Sequence, residues 1–282
     1  MRIVSFGEVL WDVYPEERFI GGAPFNFSAH IARQGAEAFL LSAVGDDELG
    51  KETLREIGRL GVRADFVSVL GDKPTGSCLV TLDENSVPAY NLLDDVAYDR
   101  INCDKATGDF DVLYFGTLSL RNEHNRKSLQ SLICKHSFKE VFVDVNIRPP
   151  YYCDDTVKFC VERATMIKIS DEELPVVAKS IDIGYDDYKA FARSLSAKYN
   201  NIKFVIITLG EKGAYLLDCG ENAEHTVPAK KVKVVSTVGA GDSFSATFLN
   251  NLLEGKDVTT CLERATETAA LVVASPFAIP EY

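Results

Sequence analysis

The sequence predicts an α/β fold, with a doubly wound, mostly parallel central sheet flanked by helices and a small β-sheet lid. Three observations carry this expectation. Short apolar runs recur at Ile3–Phe6, Val112–Phe115, Val141–Val145, Met166–Ile169 and Phe204–Thr208, and continuous rather than alternating hydrophobicity suits strands buried on both faces. Helix-like segments separate them, which is the alternation that builds parallel sheets. The rhythm breaks where Asp65–Leu70, Ser77–Leu82 and Pro88–Leu93 follow one another without a helix between them. Those runs, together with Val9–Ile20, are expected to form the lid, from about 9–20 and 65–98. No repeat, low-complexity tract or linker divides the 282 residues, so one domain over 1–282 is expected.

The elements follow in order. Ile3–Phe6 ends at Gly7, with Glu8 and Asp12 just beyond. In an open α/β sheet the ligand crevice lies outside the carboxyl ends of the strands, so Asp12 is either a crevice residue or a solvated loop acid. Gly21-Gly22 precedes Pro24, which suits a first helical position, and Gly35 stands where that helix stops. Phe27 and Ile31 give it a core face, while Asn26 falls in its first turn, where an amide with donors and an acceptor suits a polyol. Ala38–Val44 reads as a strand, and Asp47-Glu48 opens a helix with Leu49, Thr53, Ile57 and Leu60 inward, stopped by Gly61. Tyr90 lies on one of the lid runs, either half-buried there or facing the crevice from above.

Three further stretches follow buried runs. Asp144-Val145-Asn146-Ile147-Arg148 reads D-x-N-x-R, and Pro149-Pro150 is expected to hold the chain extended and so aim Arg148. A guanidinium can grip a substrate oxygen or stabilise a transferring phosphoryl group, although a lone arginine is also a common surface charge. Lys168-Ile169-Ser170-Asp171-Glu172-Glu173 contains S-x-x-E, a helix capping box that accounts for Ser170 and Glu173 without any catalysis. Thr208-Leu209-Gly210-Glu211-Lys212-Gly213 gives T-x-G-x-x-G, either an ordinary turn or a loop with backbone free for a ligand.

Thr237-Val238-Gly239-Ala240-Gly241-Asp242 sits between an apolar, strand-like Val232–Val235 and a helical run with Phe244, Phe248 and Leu252 on one face. Small residues at such a turn leave N–H groups uncovered, and the helix N-terminus adds partial positive charge, so the turn is an anion pocket. Asp242 in the first helical turn is favoured as a carboxylate and is either a base poised beside that pocket or a cap.

The stretch Gly21–Arg33, with Gly35 and Val44-Gly45-Asp46-Asp47, and the later Gly239-Ala240-Gly241-Asp242 turn resemble the two signatures of the ribokinase-like (PfkB) carbohydrate kinases. The resemblance runs from the first strand to the last helix, and it implies an ATP-dependent kinase acting on a sugar primary hydroxyl. In it Asp242 is the base, and Gly239, Ala240, Gly241 and Arg148 stabilise the transferring group. Asp12, Gly22, Asn26, Tyr90 and Arg148 hold the sugar. Lys168, Ser170, Thr208, Gly210, Gly213 and Thr237 meet ATP, and Glu173 organises Mg²⁺ through water. The opening Phe6-Gly7-Glu8-Val9-Leu10-Trp11-Asp12 and the D-x-N-x-R-P-P run are most similar to the fructokinase-like branch. Fructose is therefore the first acceptor expected, before 2-keto-3-deoxygluconate or a ribosyl compound. A sugar- or nucleotide-binding regulator without catalysis is the alternative from another class. Many relatives have an aspartate at the position of Ser236, and in some it helps hold a monovalent cation; Ser236 lacks that charge, so the resemblance leaves K⁺ activation open. The family's lid often pairs with that of a second subunit, which implies a homodimer through the lid.

Composition bounds the partners. A formal charge of −12 argues against nucleic acid or an anionic membrane surface. Seven cysteines, scattered and without a C-x-x-C pair, suit free thiols in a reducing compartment better than disulfides or zinc. With no apolar run of membrane-spanning length and no signal-like start, a soluble cytoplasmic protein is expected. No Walker A run and no G-x-G-x-x-G after the first strand point to a P-loop kinase or a dinucleotide enzyme.

Overall fold

The computed structural model describes residues 1–82 and 88–282, and the side chains of these except at 81, 82 and 88–90. The chain begins with β1 (Arg2–Phe6), β2 (Leu10–Val13), β3 (Arg18–Gly21), α1 (Ala23–Arg33), β4 (Glu37–Gly45), α2 (Glu48–Arg59) and β5 (Val67–Leu70). It continues through β6 (Ser77–Leu82), β7 (Pro88–Leu92), β8 (Val112–Phe115), α3 (Glu123–Lys135), β9 (Glu140–Asp144), α4 (Asp154–Arg163) and β10 (Met166–Ser170). The remaining elements are α5 (Leu174–Ser180), α6 (Tyr188–Lys198), β11 (Phe204–Thr208), β12 (Ala214–Asp218), β13 (Ala223–Val227), α7 (Ala240–Leu253) and α8 (Val258–Val273).

The central sheet has nine strands in the order β13-β12-β11-β10-β9-β8-β1-β4-β5. From β11 to β5 all neighbours are parallel, and β12 and β13 extend that edge antiparallel. Alternate strand residues feed two cores. Phe6, Leu113, Val143 and Ile167 pack with Leu129 of α3, Val157 of α4, Val177 of α5 and Leu195 of α6. Ile3, Tyr114, Phe142 and Met166 pack with Phe27 of α1, Phe248 of α7 and Leu262 of α8. The helices therefore cover both faces, as the continuous apolar runs require. The chain leaves β1 for β4 and β5, then returns to β8 and runs the other way. That reversal, between β1 and β8, is where open α/β sheets bind ligands.

A second sheet has the order β3-β2-β6-β7, with β2 and β6 parallel and the outer pairs antiparallel. It contains the segments expected above the body, with one correction. β5 pairs in parallel with β4, from Ser42↔Val67 to Gly45↔Leu70, and closes the central sheet. The reason is α2: a helix between two strands makes them a βαβ unit, so the break in rhythm begins only after β5.

Two other expectations fail locally. Val232–Val235 is no strand: Val232, Val234 and Val235 are 41%, 63% and 53% exposed. The N–H groups of Val235 and Ser236 both donate to the Val273 carbonyl instead. β-Branched residues supplied the propensity, but the backbone donors at the end of this segment go to the last turn of α8 rather than to a strand. After Arg148 the chain turns back rather than staying extended, with a cis Pro149-Pro150 bond and Tyr151 N–H donating to the Arg148 carbonyl at 2.7 Å. All seven cysteines are free, and Cys78, Cys103, Cys160 and Cys261 are buried. Among the described residues no helix is long and apolar enough to cross a membrane.

Candidate active site

The carboxyl ends of β1, β9, β10 and β11 open into one cleft of about 1360 Å³, which Leu10, Asp12, Cys78 and Leu92 line from the small sheet. At its floor α7 begins. Gly239 is the N-cap in the left-handed region (φ 81°), and a Cβ there would lie 2.7 Å from the Ala278 carbonyl oxygen, so only glycine fits. No side chain caps the helix. Helix geometry leaves the first-turn N–H groups of Gly241 and Asp242 without intrahelical partners. Ala240 differs from expectation, since its N–H already donates to the Thr237 carbonyl at 3.3 Å.

Asp242 is 9% exposed, and its Oδ2 accepts from Asn26 Nδ2 at 2.8 Å. Burial and the nearby Asp144 carboxylate push its pKa up to about 6, against the pull of Asn26, Lys168 and Arg148. The helix terminus alone implied a lower value; burial outweighs it. Asn26 Oδ1 is buried without a hydrogen-bond partner, a rare state for a buried amide oxygen. α1 carries Asn26 into place. Its N-cap Gly22 has φ 108°, and a Cβ there would lie 2.5 Å from the Glu8 carbonyl oxygen. Asp12 lies on β2 opposite Cys78 of β6. Burial pushes its carboxyl above the usual range, while Arg148 pulls it down.

Lys168 Nζ lies 2.7 Å from Asp144 Oδ1, with both side chains buried. Asp144 Oδ2 also accepts from Tyr114 at 3.2 Å and from Ser245 of α7 at 3.1 Å. Burial works against the Lys168 charge, but the Asp144 and Glu173 carboxylates more than offset it and hold the ammonium protonated. A Cβ on Gly241 would lie 3.3 Å from Lys168 Nζ, which places this cation beside the start of α7.

Glu173 keeps the glutamate half of the capping box and adds a partner beyond it. Its Oε2 accepts from the Ser170 N–H at 2.8 Å, and its Oε1 accepts from the Ile147 N–H at 2.6 Å. Ser170 is the last residue of β10 and α5 starts only at Leu174, so Glu173 ties a strand end to the loop carrying Arg148. In the T-x-G-x-x-G loop, Thr208 ends β11, Gly210 has φ 55° and Gly213 has φ 108°. A Cβ on Gly213 would lie 2.0 Å from the Val227 carbonyl oxygen.

All the site residues expected from the sequence line this cleft except Tyr90. Tyr90 is placed on β7, and its side chain lies outside the described residues. Several lining residues were not anticipated. Glu8 is one. Others are Val232, Val234 and Val238, together with Thr266, Ala269, Ala270 and Val273. The last four recur at i, i+3, i+4 and i+7 on α8, a small-residue stripe that the sequence does display. His30 is a core residue, not a ligand: Nε2 meets the Ala278 carbonyl at 3.0 Å and Nδ1 the Tyr282 hydroxyl at 2.6 Å. The segment after α8 is thereby fastened to α1 while it abuts Gly239.

Comparison with known proteins matches residues 4–281 to the model of the pfkB family carbohydrate kinase. Probable fructokinase-5 of Arabidopsis thaliana is 27% identical over 279 residues, covering 90% of this chain and 83% of that protein. An uncharacterized sugar kinase from Pyrococcus horikoshii in complex with ATP has a TM-score of 0.81 at 26% identity, covering 98% of this chain and 94% of the other. Fructokinase from Vibrio cholerae O395, bound to fructose, ADP and calcium ion, shares the fold with a TM-score of 0.85 at 23% identity, covering 99% and 94%. A family match over nearly the whole length, on a fold whose two distant motifs meet in one cleft, leads to one assignment: the chain belongs to the pfkB family of carbohydrate kinases.

Proposed function

We propose that this sugar kinase transfers the γ-phosphoryl group of ATP to a primary hydroxyl, fructose being the first acceptor, with Asp242 as the base. The observation that carries the reading is the buried Asn26–Asp242 hydrogen bond at the uncapped start of α7. It puts an oriented carboxylate next to backbone donors, and the Asn26 oxygen is left to accept from a hydroxyl. Asp12, Gly22, Asn26 and Arg148 hold the sugar at that end, and the small sheet excludes water as a lid. Asp242 takes the hydroxyl proton as the oxygen attacks in line. The Gly241 and Asp242 amides, with Lys168 and Arg148, face the charge that develops on the phosphoryl oxygens.

The valines and the small residues of α8 suit a flat apolar base, and Thr208, Gly210, Gly213 and Thr237, which line the same cleft, would meet the phosphates. Ser170 lines the cleft too, with its N–H given to Glu173. Both Glu173 oxygens accept backbone N–H groups, and Asp144 is paired with Lys168. These residues therefore fit a Mg²⁺ ion carried by the phosphates and reached through water, and the bound ion neutralises phosphate charge. Ser236 Oγ accepts from the Val238 N–H, and no monovalent cation enters the reading.

The test is ADP release from Mg-ATP over an acceptor panel. Asp242→Asn is expected to lose roughly 10²–10⁴-fold in kcat with ATP binding retained. Near-wild-type turnover in that variant removes Asp242 from the reaction.

A further inference from the structure

Arg121 ends the 3₁₀ turn Leu118–Arg121 that follows β8, and it is not among the residues that line the cleft. Its guanidinium gathers several segments. Nε and Nη2 donate to the two carboxylate oxygens of Asp99 at 2.9 and 2.8 Å, and Nη2 also donates to the Leu93 carbonyl at 2.7 Å. Nη1 lies 3.2 Å from Asp94 Oδ1. The group stands 5.2 Å from the ring centre of Tyr98 and 5.1 Å from that of Tyr151, within reach of a cation–π contact. The Arg121 and Asp99 side chains are 10% and 3% exposed, so solvent ions screen their pairing little.

Tyr151 carries this cluster to the cleft. It lines the cleft and also a second cavity of about 290 Å³, to which Arg121, Asp94 and Asp99 contribute. Its hydroxyl donates to the Leu92 carbonyl, at the end of β7, at 2.9 Å. Its N–H donates to the Arg148 carbonyl. Arg148 itself is exposed, and its charge is felt at Asp12 and Asp242. The aim of so long a side chain depends on how its backbone is held. Glu173 fixes the Ile147 N–H on one side, and the turn onto Tyr151 fixes the other.

We infer that Arg121 is a positioning residue for phosphotransfer: by holding the exit of β7 and the Tyr151 ring at once, it ties the aim of Arg148 to the placement of the small sheet. This rests on the phosphotransfer reading and on the part Arg148 takes in it. The plainer role for Arg121 is to neutralise the buried Asp99 carboxylate and so stabilise the fold. Lysine separates the two roles. It keeps a positive charge beside Asp99 but lacks the planar fork that serves Asp99, Leu93 and Asp94 together.

The experiment measures kcat and both KM values by ADP release from Mg-ATP with the best acceptor of the panel. The proteins are wild type, Arg121→Lys, Tyr151→Phe, Arg148→Lys, and each of the first two variants combined with Arg148→Lys. Arg121→Lys is expected to lower kcat/KM for the acceptor by about tenfold or more, with KM for ATP within about twofold of wild type, because small displacements of a reacting-end group are costly. With Arg148→Lys already present, the same change should cost about twofold or less, since its effect runs through Arg148. Tyr151→Phe keeps the ring, loses the hydroxyl bond to Leu92 and strands no buried charge. It should cost about threefold or more, with the same dependence on Arg148, and it decides the matter if Arg121→Lys does not fold. A loss that multiplies in full with that of Arg148→Lys overturns the inference, as does a variant changed only in Tm. If Arg148→Lys releases no ADP, the split decides: a loss carried by KM for ATP overturns the inference, and one carried by kcat upholds it. Full turnover in Arg148→Lys removes Arg148 from the reaction and this inference with it, and leaves phosphotransfer standing. No ADP release from wild type with any acceptor, in protein that binds ATP by titration, overturns the phosphotransfer reading itself.

Discussion

Replacing Asn26 by alanine should move the pH dependence of catalysis by an amount that the geometry sets. Asn26 Nδ2 donates to Asp242 Oδ2 at 2.8 Å in a buried setting and favours the charged carboxylate. A hydrogen bond to a charged group is worth about 1.5–3 kcal/mol, and a pKa unit about 1.4 kcal/mol. Removing the bond should therefore raise the Asp242 pKa by about one to two units from its starting value of about 6. A base acts only when ionised, so wild-type kcat/KM should fall as pH drops through about 6. In Asn26→Ala the fall should begin higher, near about pH 7 to 8. The assay is kcat/KM for fructose from about pH 5 to about pH 9. The position of the acid limb is the readout, because on the proposed reading loss of Asn26 should also weaken sugar binding and lower the whole curve. Burial pushes Glu8 up to about 7, in the same range, so both profiles are repeated in Glu8→Gln. A limb that stays at its wild-type position in Asn26→Ala refutes the link between this bond and the base.

Three stability effects follow from the same cleft. Burial raises the Asp242 pKa from 3.8 to about 6, so its contribution to stability is greatest below about pH 4 and is lost as pH rises through about 6. Asp242→Asn keeps the group neutral and should gain up to ~3 kcal/mol at neutral pH, read as a higher Tm; a lower Tm at pH 7 contradicts this. Lys168→Met strands the Asp144 carboxylate and should cost about 3–5 kcal/mol, and denaturant melts within error of wild type would show the pair to be dispensable. Gly213→Ala places a Cβ against the Val227 carbonyl at positive φ and should cost more than about 3 kcal/mol, detected as a large loss in the urea midpoint.

The body of the fold was legible because strands buried on both faces have to be apolar along their middles, as β8 is throughout and β9 is between Glu140 and Asp144. What was lost depended on partners. Val232–Val235 has strand composition, but its end bonds to the Val273 carbonyl of α8 instead of a strand, and β5 joins the central sheet because α2 precedes it. At the site, the two signatures marked Asn26 and Asp242 separately, whereas no spacing reveals that they bond to each other. Glu173 looked only like a cap because Ser170 and Glu173 fill the S-x-x-E pattern; its second partner, Ile147, lies 26 residues away. Glu8 was passed over for a similar reason. One acid after a strand has no signature until the chain closes over it.

The bond between Asn26 and Asp242 spans 216 positions, and His30 reaches Ala278 and Tyr282 across 248 and 252. Contacts of such separation carry a high loop-closure cost and form late. β1, β4 and β8 can pair long before Asp242 meets Asn26. A chain still emerging from the ribosome thus has α1 early but not the start of α7, and on the proposed mechanism it is expected to be inactive. Phosphotransfer would report the completed fold, with activity returning after secondary structure when the denatured protein refolds.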